Sequence, residues 1–475
     1  MQSVVPMAQS ARQILGMQNV RQGVEYRLLK NSIVLPVSEG MLLYNLLTKE
    51  MIMLDAEETE ILEELPCTFC ENLEYLITHW FLVPYDMDEK MLADQVRTVA
   101  SLLLEQNEKS ITGFTIFTTT DCNARCFYCF EQNNRRMAMT EQTARDVAVY
   151  IKKKCGSQKV KITWFGGEPL FNSHVIDVIC EELEKSGVVF SSRIVSNGYL
   201  FDDEMVEKAR HLWKVKDVQI TLDGTERVYN KIKAFIYKEE NAYVKVMDNM
   251  ERLLKAEMKV VVRLNMGRHN IQDLYQLCDE LAVRFGGYKK FRVALALLYE
   301  DRGSNSGQRT DTKQHELYHE LFALEDYIER KKIASYRSLP KRIKLNHCMA
   351  DSDSAVTILP DGKLGKCEHF LDSEFFGNIY SDNVENAVID SWKERHEEWK
   401  ECRDCLFYPT CSLIKKCPVR QRKCDEDERR LKERQLKKSM RHTWEIFREQ
   451  AEKEKSLLSC NLFPCDNRLL NRTVA

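Results

Sequence analysis

The chain has no stretch of about 18 consecutive apolar residues, the length that crosses a bilayer as a helix. Its opening residues, Met-Gln-Ser-Val-Val-Pro, also lack the basic segment and apolar core of a secretory signal. Both absences predict a cytoplasmic protein without a membrane partner. Charge of one sign is missing too: 70 basic and 73 acidic residues leave a net charge of -3. That balance argues against nucleic acid and toward small-molecule or peptide partners. There is no internal repeat beyond an alternation of strand and helix patterns. What the chain does have is length, 44% hydrophobic residues and 17 Cys in 475 residues. This suffices for two or three domains with their own cores. In a chain expected in a reducing compartment, so many Cys argue for free thiols that bind metals or do chemistry, not for a disulfide framework.

From Phe114 to Leu298, short β-rich runs alternate with amphipathic helical stretches, the pattern of βα units around a parallel sheet. Six strands are predicted: 114–118, 159–164, 191–196, 217–222, 259–265 and 290–298. Thr140 and Asn270 stand where helix start signals are expected. Right-handed crossovers would close six such strands into a partial barrel, with its functional loops at the C-terminal strand ends. Residues 22 to 90 form a separate block, β-like and then helical. The stretch 303–312 reads as a polar linker, and Asp425 to Lys455 as a charged, solvated helix whose interspersed acids disfavour nucleic acid.

Just after the first strand stand Cys122, Cys126 and Cys129, a Cys-x3-Cys-x2-Cys triplet with Tyr128 before the third thiol. Clusters of four irons are normally held by four thiolates, so three leave one iron open to another ligand. A zinc site is the alternative reading. The loop resembles the signature of the radical S-adenosylmethionine (SAM) superfamily. In that family the open iron of a 4Fe-4S cluster binds SAM, and its reductive cleavage gives a 5'-deoxyadenosyl radical that abstracts hydrogen from the substrate. Gly166, Gly167, Glu168 and Pro169 follow strand two and resemble the family's motif for the methionine amino group. Glycines there let a backbone approach a ligand closely. By the same resemblance, Ser196 and Asn197 after strand three and Thr221 after strand four face SAM. Lys233 stands where relatives carry an Arg for the SAM carboxylate, keeping the charge but losing the bidentate fork. Arg263 and Asn265, two apart on strand five, share a face. Arg263 is either near SAM or simply paired with a carboxylate.

A second block holds Cys348, Cys367, Cys402, Cys405, Cys411, Cys417 and Cys424. It resembles the SPASM domain of peptide-modifying radical SAM enzymes, which holds two auxiliary 4Fe-4S clusters. The resemblance implies that Cys402, Cys405, Cys411 and Cys424 bind one, and Cys348, Cys367 and Cys417 the other. The five residues between Cys411 and Cys417 depart from the usual spacing, and Ser352 and Ser354 stand near where relatives have a further Cys. The first auxiliary cluster then either has an open iron, suited to a substrate thiolate, or takes Cys460 or Cys465. Glu368, beside Cys367, is a candidate base or a surface residue, and His347 is a weaker candidate. Cys155, Cys180 and Cys278 read as core-facing. Cys67 and Cys70 read as incidental thiols.

The N-terminal module resembles the small winged-helix-like peptide-recognition domain of ribosomal-peptide maturases, with a purely structural adaptor as the alternative. Together the resemblances imply an α/β chain: a partial (β/α)6 TIM-like radical SAM barrel, that small winged-helix-like module and a C-terminal iron-sulfur SPASM domain. The expected divisions are a tail (1–20), a peptide-recognition-like module (21–95), the barrel (108–302), linker and helix (303–340), the SPASM region (341–430) and a charged helical tail (431–475). The resemblance implies a maturase of a ribosomally synthesised precursor peptide, installing an intramolecular crosslink such as a Cys thioether. It also implies a reducing partner such as flavodoxin or ferredoxin. The alternatives are an anaerobic sulfatase-maturating enzyme that makes formylglycine and a non-catalytic iron-sulfur or zinc scaffold.

Overall fold

The computed structural model describes residues 1–107, 110–132, 134–238, 240–298, 314–333, 339–343, 345, 348–369, 373–394, 400–411, 414–417 and 424–461. At its centre is a sheet whose first six strands are β1 (Gly113–Thr119), β2 (Val160–Gly166), β3 (Phe190–Ser196), β4 (Val215–Leu222), β5 (Lys259–Met266) and β6 (Phe291–Leu297). Each pairs parallel with the next, with Thr221 opposite Arg263 and Asn265 opposite Ala296. All six match the runs expected from sequence. Burial explains their formation: Val218, Ile220 and Leu222 are 0% exposed on one face of β4, while Gln219 and Thr221 point the other way. The buried faces meet helices α1 (Glu141–Cys155), α2 (His174–Lys185), α3 (Asp203–His211), α4 (Glu226–Lys233), α5 (Ala242–Lys255) and α6 (Ile271–Phe285) in one hydrophobic core. Period-two strands and period-3.6 helices present these faces to each other. Cys155, Cys180 and Cys278 are buried in that core, as expected.

Thr140 accepts a hydrogen bond from the Thr143 amide at 3.1 Å and so starts α1. Asn270 precedes α6 but does not cap it. Its Oδ1 accepts from the Gly267 amide, and its Nδ2 donates to the carbonyls of Asp223 and Asn265. The side chain therefore ties two barrel-mouth loops together, which local sequence cannot reveal.

The sheet continues past β1. Strand β7 (Ala355–Ile358) pairs parallel with β1, and β8 (Lys363–Gly365) and β9 (Phe375–Asn378) follow antiparallel. The C-terminal Cys region is thereby stitched to the first barrel strand. Helix α7 (Gln314–Arg330) covers the other end of the sheet.

The first twenty residues, expected as a tail, include a strand, Gln2–Val5, and a helix, Gln9–Leu15. The strand pairs antiparallel with Met51–Leu54 and completes a four-stranded sheet with Ser32–Val37 and Gly40–Asn45. A three-stranded sheet lies beside it. Asn31 Nδ2 from this module donates to the carbonyls of Leu406 and Tyr408, each at 2.7 Å. The long helix α8 (Glu426–Asn461), expected to be solvated, is instead docked: Met440 is 0% and Trp444 6% exposed against Leu42 and Tyr44. The stripe Leu436, Met440, Trp444, Phe447 follows helical spacing and supplies that contact. Among the described residues, no helix is long and apolar enough to cross a membrane.

Candidate active site

The loops that follow β1 to β5 meet at one end of the sheet. Gly166 and Gly167 lie against the start of the Cys loop: a Cβ on Gly167 would stand 2.3 Å from the Asp121 carbonyl oxygen, and one on Gly166 2.1 Å from that of Thr119. The Gly167 and Glu168 amides donate to those same carbonyls at 3.1 and 3.0 Å. Glycine is required here for the packing of two loops, which is a more exacting reason than ligand approach alone. Pro169 begins the short helical turn that follows.

Glu168 is 0% exposed. Its Oε1 accepts from the Leu170 amide and the Ser196 hydroxyl, and its Oε2 from the Asn197 amide. Burial pushes its carboxyl up to about 7, against the pull of these donors. Ser196 in turn accepts from the Gly198 amide at 2.9 Å. Glu168 and Ser196 therefore lock the loops after β2 and β3 together. Asn197 reaches the Cys loop, donating to Asn123 Oδ1 at 2.6 Å and lying 3.8 Å from Cys122 Sγ.

Tyr128 donates to Asp223 Oδ2 at 2.5 Å and accepts from Lys233 Nζ at 2.9 Å. Lys233 and Asp223 form an ion pair at 2.9 Å, with side chains 3% and 0% exposed. Burial alone would depress the Lys233 ammonium. The Asp223 carboxylate, with Tyr128 and Cys126 beside it, holds it well above its ordinary range. The charge that resemblance assigns to the SAM carboxylate is thus already engaged by Asp223, two residues beyond Thr221 in the loop after β4. Asp223 Oδ1 is buried without a hydrogen-bond partner among the described residues, so it can still accept a bond from a ligand. Asn265 Nδ2 lies 3.4 Å from the Tyr128 hydroxyl, and Arg263 Nε donates to Asn265 Oδ1 at 2.9 Å. Among the described residues, Arg263 therefore meets Asn265, not a carboxylate. Thr221 is half-buried opposite it.

Burial raises the Cys122 thiol to about 12 and Cys129 to about 11, each with a further contribution from the neighbouring thiols. Such thiols ionise readily only when a cation replaces the lost water. Bound iron would supply that charge.

In the C-terminal region, Cys367 is buried with Ala350, Trp392 and Ile414, and Cys417 packs on the same cluster. Burial, then Glu368, then Cys348 and Cys417 raise the Cys367 thiol. These three thiols therefore share one neighbourhood. Cys411 and Cys424 share another, where Lys432 Nζ lies 3.2 Å from one sulfur and 3.9 Å from the other. Cys402 and Cys405 stand on one turn, the Cys405 amide donating to the Cys402 carbonyl. Among the described residues, no three His, Cys, Asp or Glu side chains converge as ligands of a single metal ion. His347 and Cys465 lie outside the described residues, as does the side chain of Cys460.

Glu368 is half-buried, and its Oε2 has no hydrogen-bond partner among the described residues. It faces Glu131, two residues beyond Cys129, whose carboxyl is raised to about 8 by burial and then by Glu368. The rings of Phe130 and His369 meet at 4.3 Å. The Cys loop after β1 and the Cys367 loop are thus neighbours. Sequence reasoning passed over Glu131 because an acid in a polar loop gives no sign of burial.

Residues 116–281 match the Radical SAM superfamily. The barrel is a radical SAM domain. Its members are enzymes, and the family implies SAM and a 4Fe-4S cluster for this chain. The chain is 22% identical over 336 residues to the GTP 3',8-cyclase of Clostridium perfringens (strain 13 / Type A), covering 68% of this chain and 96% of the cyclase. It is 24% identical over 338 residues to the cysteine-type anaerobic sulfatase-maturating enzyme of Clostridium novyi (strain NT), covering 64% and 87%. In fold it is similar to anSMEcpe with bound AdoMet and Cp18Cys peptide: the TM-score is 0.52 at 15% identity, over 71% of this chain and 99% of that one.

Proposed function

We propose that this radical SAM enzyme matures a ribosomally synthesised peptide, installing an intramolecular crosslink such as a Cys thioether. The observation that carries this reading is the grouping of the C-terminal thiols. Cys348, Cys367 and Cys417 gather beside Glu368, which faces the Cys122 to Cys129 loop through Glu131, while Cys411 and Cys424 gather elsewhere. Two such groups fit the two auxiliary clusters of a SPASM-type region, Cys402 and Cys405 belonging with the second.

The site residues fit the implied groups. Cys122, Cys126 and Cys129 would hold three irons of one cluster and leave the fourth for SAM. Gly166 and Gly167 leave room that a Cβ would fill, and the unpartnered Asp223 Oδ1 and Asn123 Nδ2 offer an acceptor and a donor. When bound, the clusters and SAM supply the 5'-deoxyadenosyl radical that takes a hydrogen atom from the peptide, and a sink for the electron released on bond formation. Around them, the buried Lys233–Asp223 pair fixes Tyr128, and Arg263 fixes Asn265. Glu368 would take the proton a substrate thiol gives up.

Anaerobic reconstitution should load about twelve irons, four for each of three clusters. With SAM and dithionite the enzyme should release 5'-deoxyadenosine, and Cys126→Ala should abolish the release. Absence of release from the fully loaded wild type sinks the radical reading. A short precursor peptide co-expressed with the enzyme should lose two hydrogen atoms per crosslink by mass spectrometry. An acid beside Cys367 also suits sulfatase maturation, the activity for which the Clostridium novyi relative is named. Conversion of a sulfatase-derived Cys peptide to formylglycine would favour that second reading, and conversion of GTP would redirect the assignment to the cyclases.

A further inference from the structure

A half-open cavity of about 710 Å³ lies between β6, α7 and α8, at the end of β5 and β6 opposite the Cys loop. Its floor is apolar: Val261, Val293, Ala294, Leu295 and Ile333. Its rim is cationic, with seven Lys and Arg residues against three Glu, an excess of four positive charges. Some of that charge is answered within the fold. Lys438 pairs with Glu329 at 3.2 Å and with Asp326 at 3.3 Å, and Lys290 with Glu257 at 3.0 Å. Lys259, Lys332 and Arg441 extend the basic rim on β5, beyond α7 and on α8.

Two geometric facts connect this cavity to the candidate site. First, β6 is the last strand of the sheet, and among the described residues no strand pairs with its outer edge. Helix α7 packs at this end of the sheet, but a helix does not pair with a strand edge, so an extended segment lying along it within the cavity would meet main-chain donors and acceptors as well as the apolar floor. Second, Lys259, Val261, Arg263 and Asn265 alternate onto one face of β5. Val261 lines the cavity, while Asn265 touches Tyr128 beside the Cys loop. At roughly 3.3 Å per residue, the six steps from Lys259 to Asn265 span about 20 Å. About six extended residues would bridge that distance.

We propose that this cavity binds an acidic segment of the substrate peptide, in extended conformation, placed about six residues from the residue the radical attacks. The inference rests on the peptide-maturase reading and deepens it by naming a substrate feature. Cations of one sign over an apolar floor select acids that carry apolar or small neighbours. They do so through complementarity that salt weakens.

The test uses the reconstituted holoenzyme and two fluorescein-labelled decapeptides, one alternating Glu with Ala and one alternating Gln with Ala. By anisotropy the Glu probe should bind at least about tenfold tighter than the Gln probe, and should lose at least about tenfold in affinity between about 50 and about 300 mM NaCl. The double variant Lys259→Glu, Arg441→Glu should lose a similar factor while keeping wild-type iron content and melting temperature. Equal binding of the two probes, no binding of the Glu probe, or undiminished binding by the folded double variant would overturn the proposal. So would displacement of the Glu probe by GTP or inorganic phosphate at concentrations below the probe's own Kd. Release of 5'-deoxyadenosine without probe binding sinks this inference alone. Probe binding without such release sinks the radical reading and leaves the acidic site standing.

Discussion

Lys49 shows how far a single residue can depart from what its type prefers. It is 3% exposed, has a φ of 60° and lies in the turn between two strands of the N-terminal module. Burial lowers its ammonium from 10.5 to about 8. Because the folded state holds this proton less tightly than the unfolded chain, the penalty is complete below about pH 8. It fades as pH rises toward 10.5, so this residue makes the protein more stable with increasing pH across that window. The penalty amounts to about 3 kcal/mol. Lys49→Gly removes the buried charge and suits the left-handed backbone. It should raise stability at pH 7 by about 1–3 kcal/mol, with lost side-chain contacts offsetting part of the gain. Urea denaturation at pH 7 and pH 10 checks this: the difference between variant and wild type should shrink at the higher pH, and a constant difference would refute the assignment. Gly167 is the contrary case, where the residue type does announce its role. Two carbonyls occupy the space a Cβ would need, so the motif was legible in the sequence although the inter-loop packing behind it was not.

Among the elements, those legible in the sequence are the ones whose faces are set locally. All six barrel strands alternate or run apolar over their length, and each is followed by a helix with a buried stripe. Strand β7 was not legible, since four residues gain strand character only by pairing with β1, far away in sequence. Helix α8 was misjudged because its many charges outnumber a narrow stripe, and a narrow stripe is enough when it meets a sheet. Trp444, 6% exposed, and Met440, 0% exposed, should anchor it. Trp444→Ala is expected to cost about 3–5 kcal/mol and to open α8 to protease while the barrel stays resistant. Limited proteolysis followed by mass spectrometry would show cuts within 426–461, and wild-type resistance in the variant would refute the docking role.

For the whole molecule, the decisive feature is that the N-terminal module rests on the C-terminal Cys stretch. Lys30 Nζ donates to the Arg403 carbonyl at 3.0 Å, Lys90 pairs with Asp404 at 2.6 Å, Tyr408 bonds Asp94, and Asn31 holds two carbonyls between Cys405 and Cys411. Three of the thiols assigned to the second auxiliary cluster, Cys402, Cys405 and Cys411, lie on this stretch. The module should therefore shape that cluster's binding loop while having no bearing on the Cys122 to Cys129 loop. Asn31→Leu leaves the Leu406 and Tyr408 carbonyls without these donors, at a cost of about 1–3 kcal/mol for each buried group left unpaired. That energy falls on a loop that must be ordered before iron can bind. The expected outcome is a fall from about twelve to about eight irons per chain, with 5'-deoxyadenosine release in the presence of dithionite preserved. A variant that keeps all its iron would show that the stretch is ordered without the module. One that loses both iron and SAM cleavage would show that the two ends of the molecule fold as a single unit.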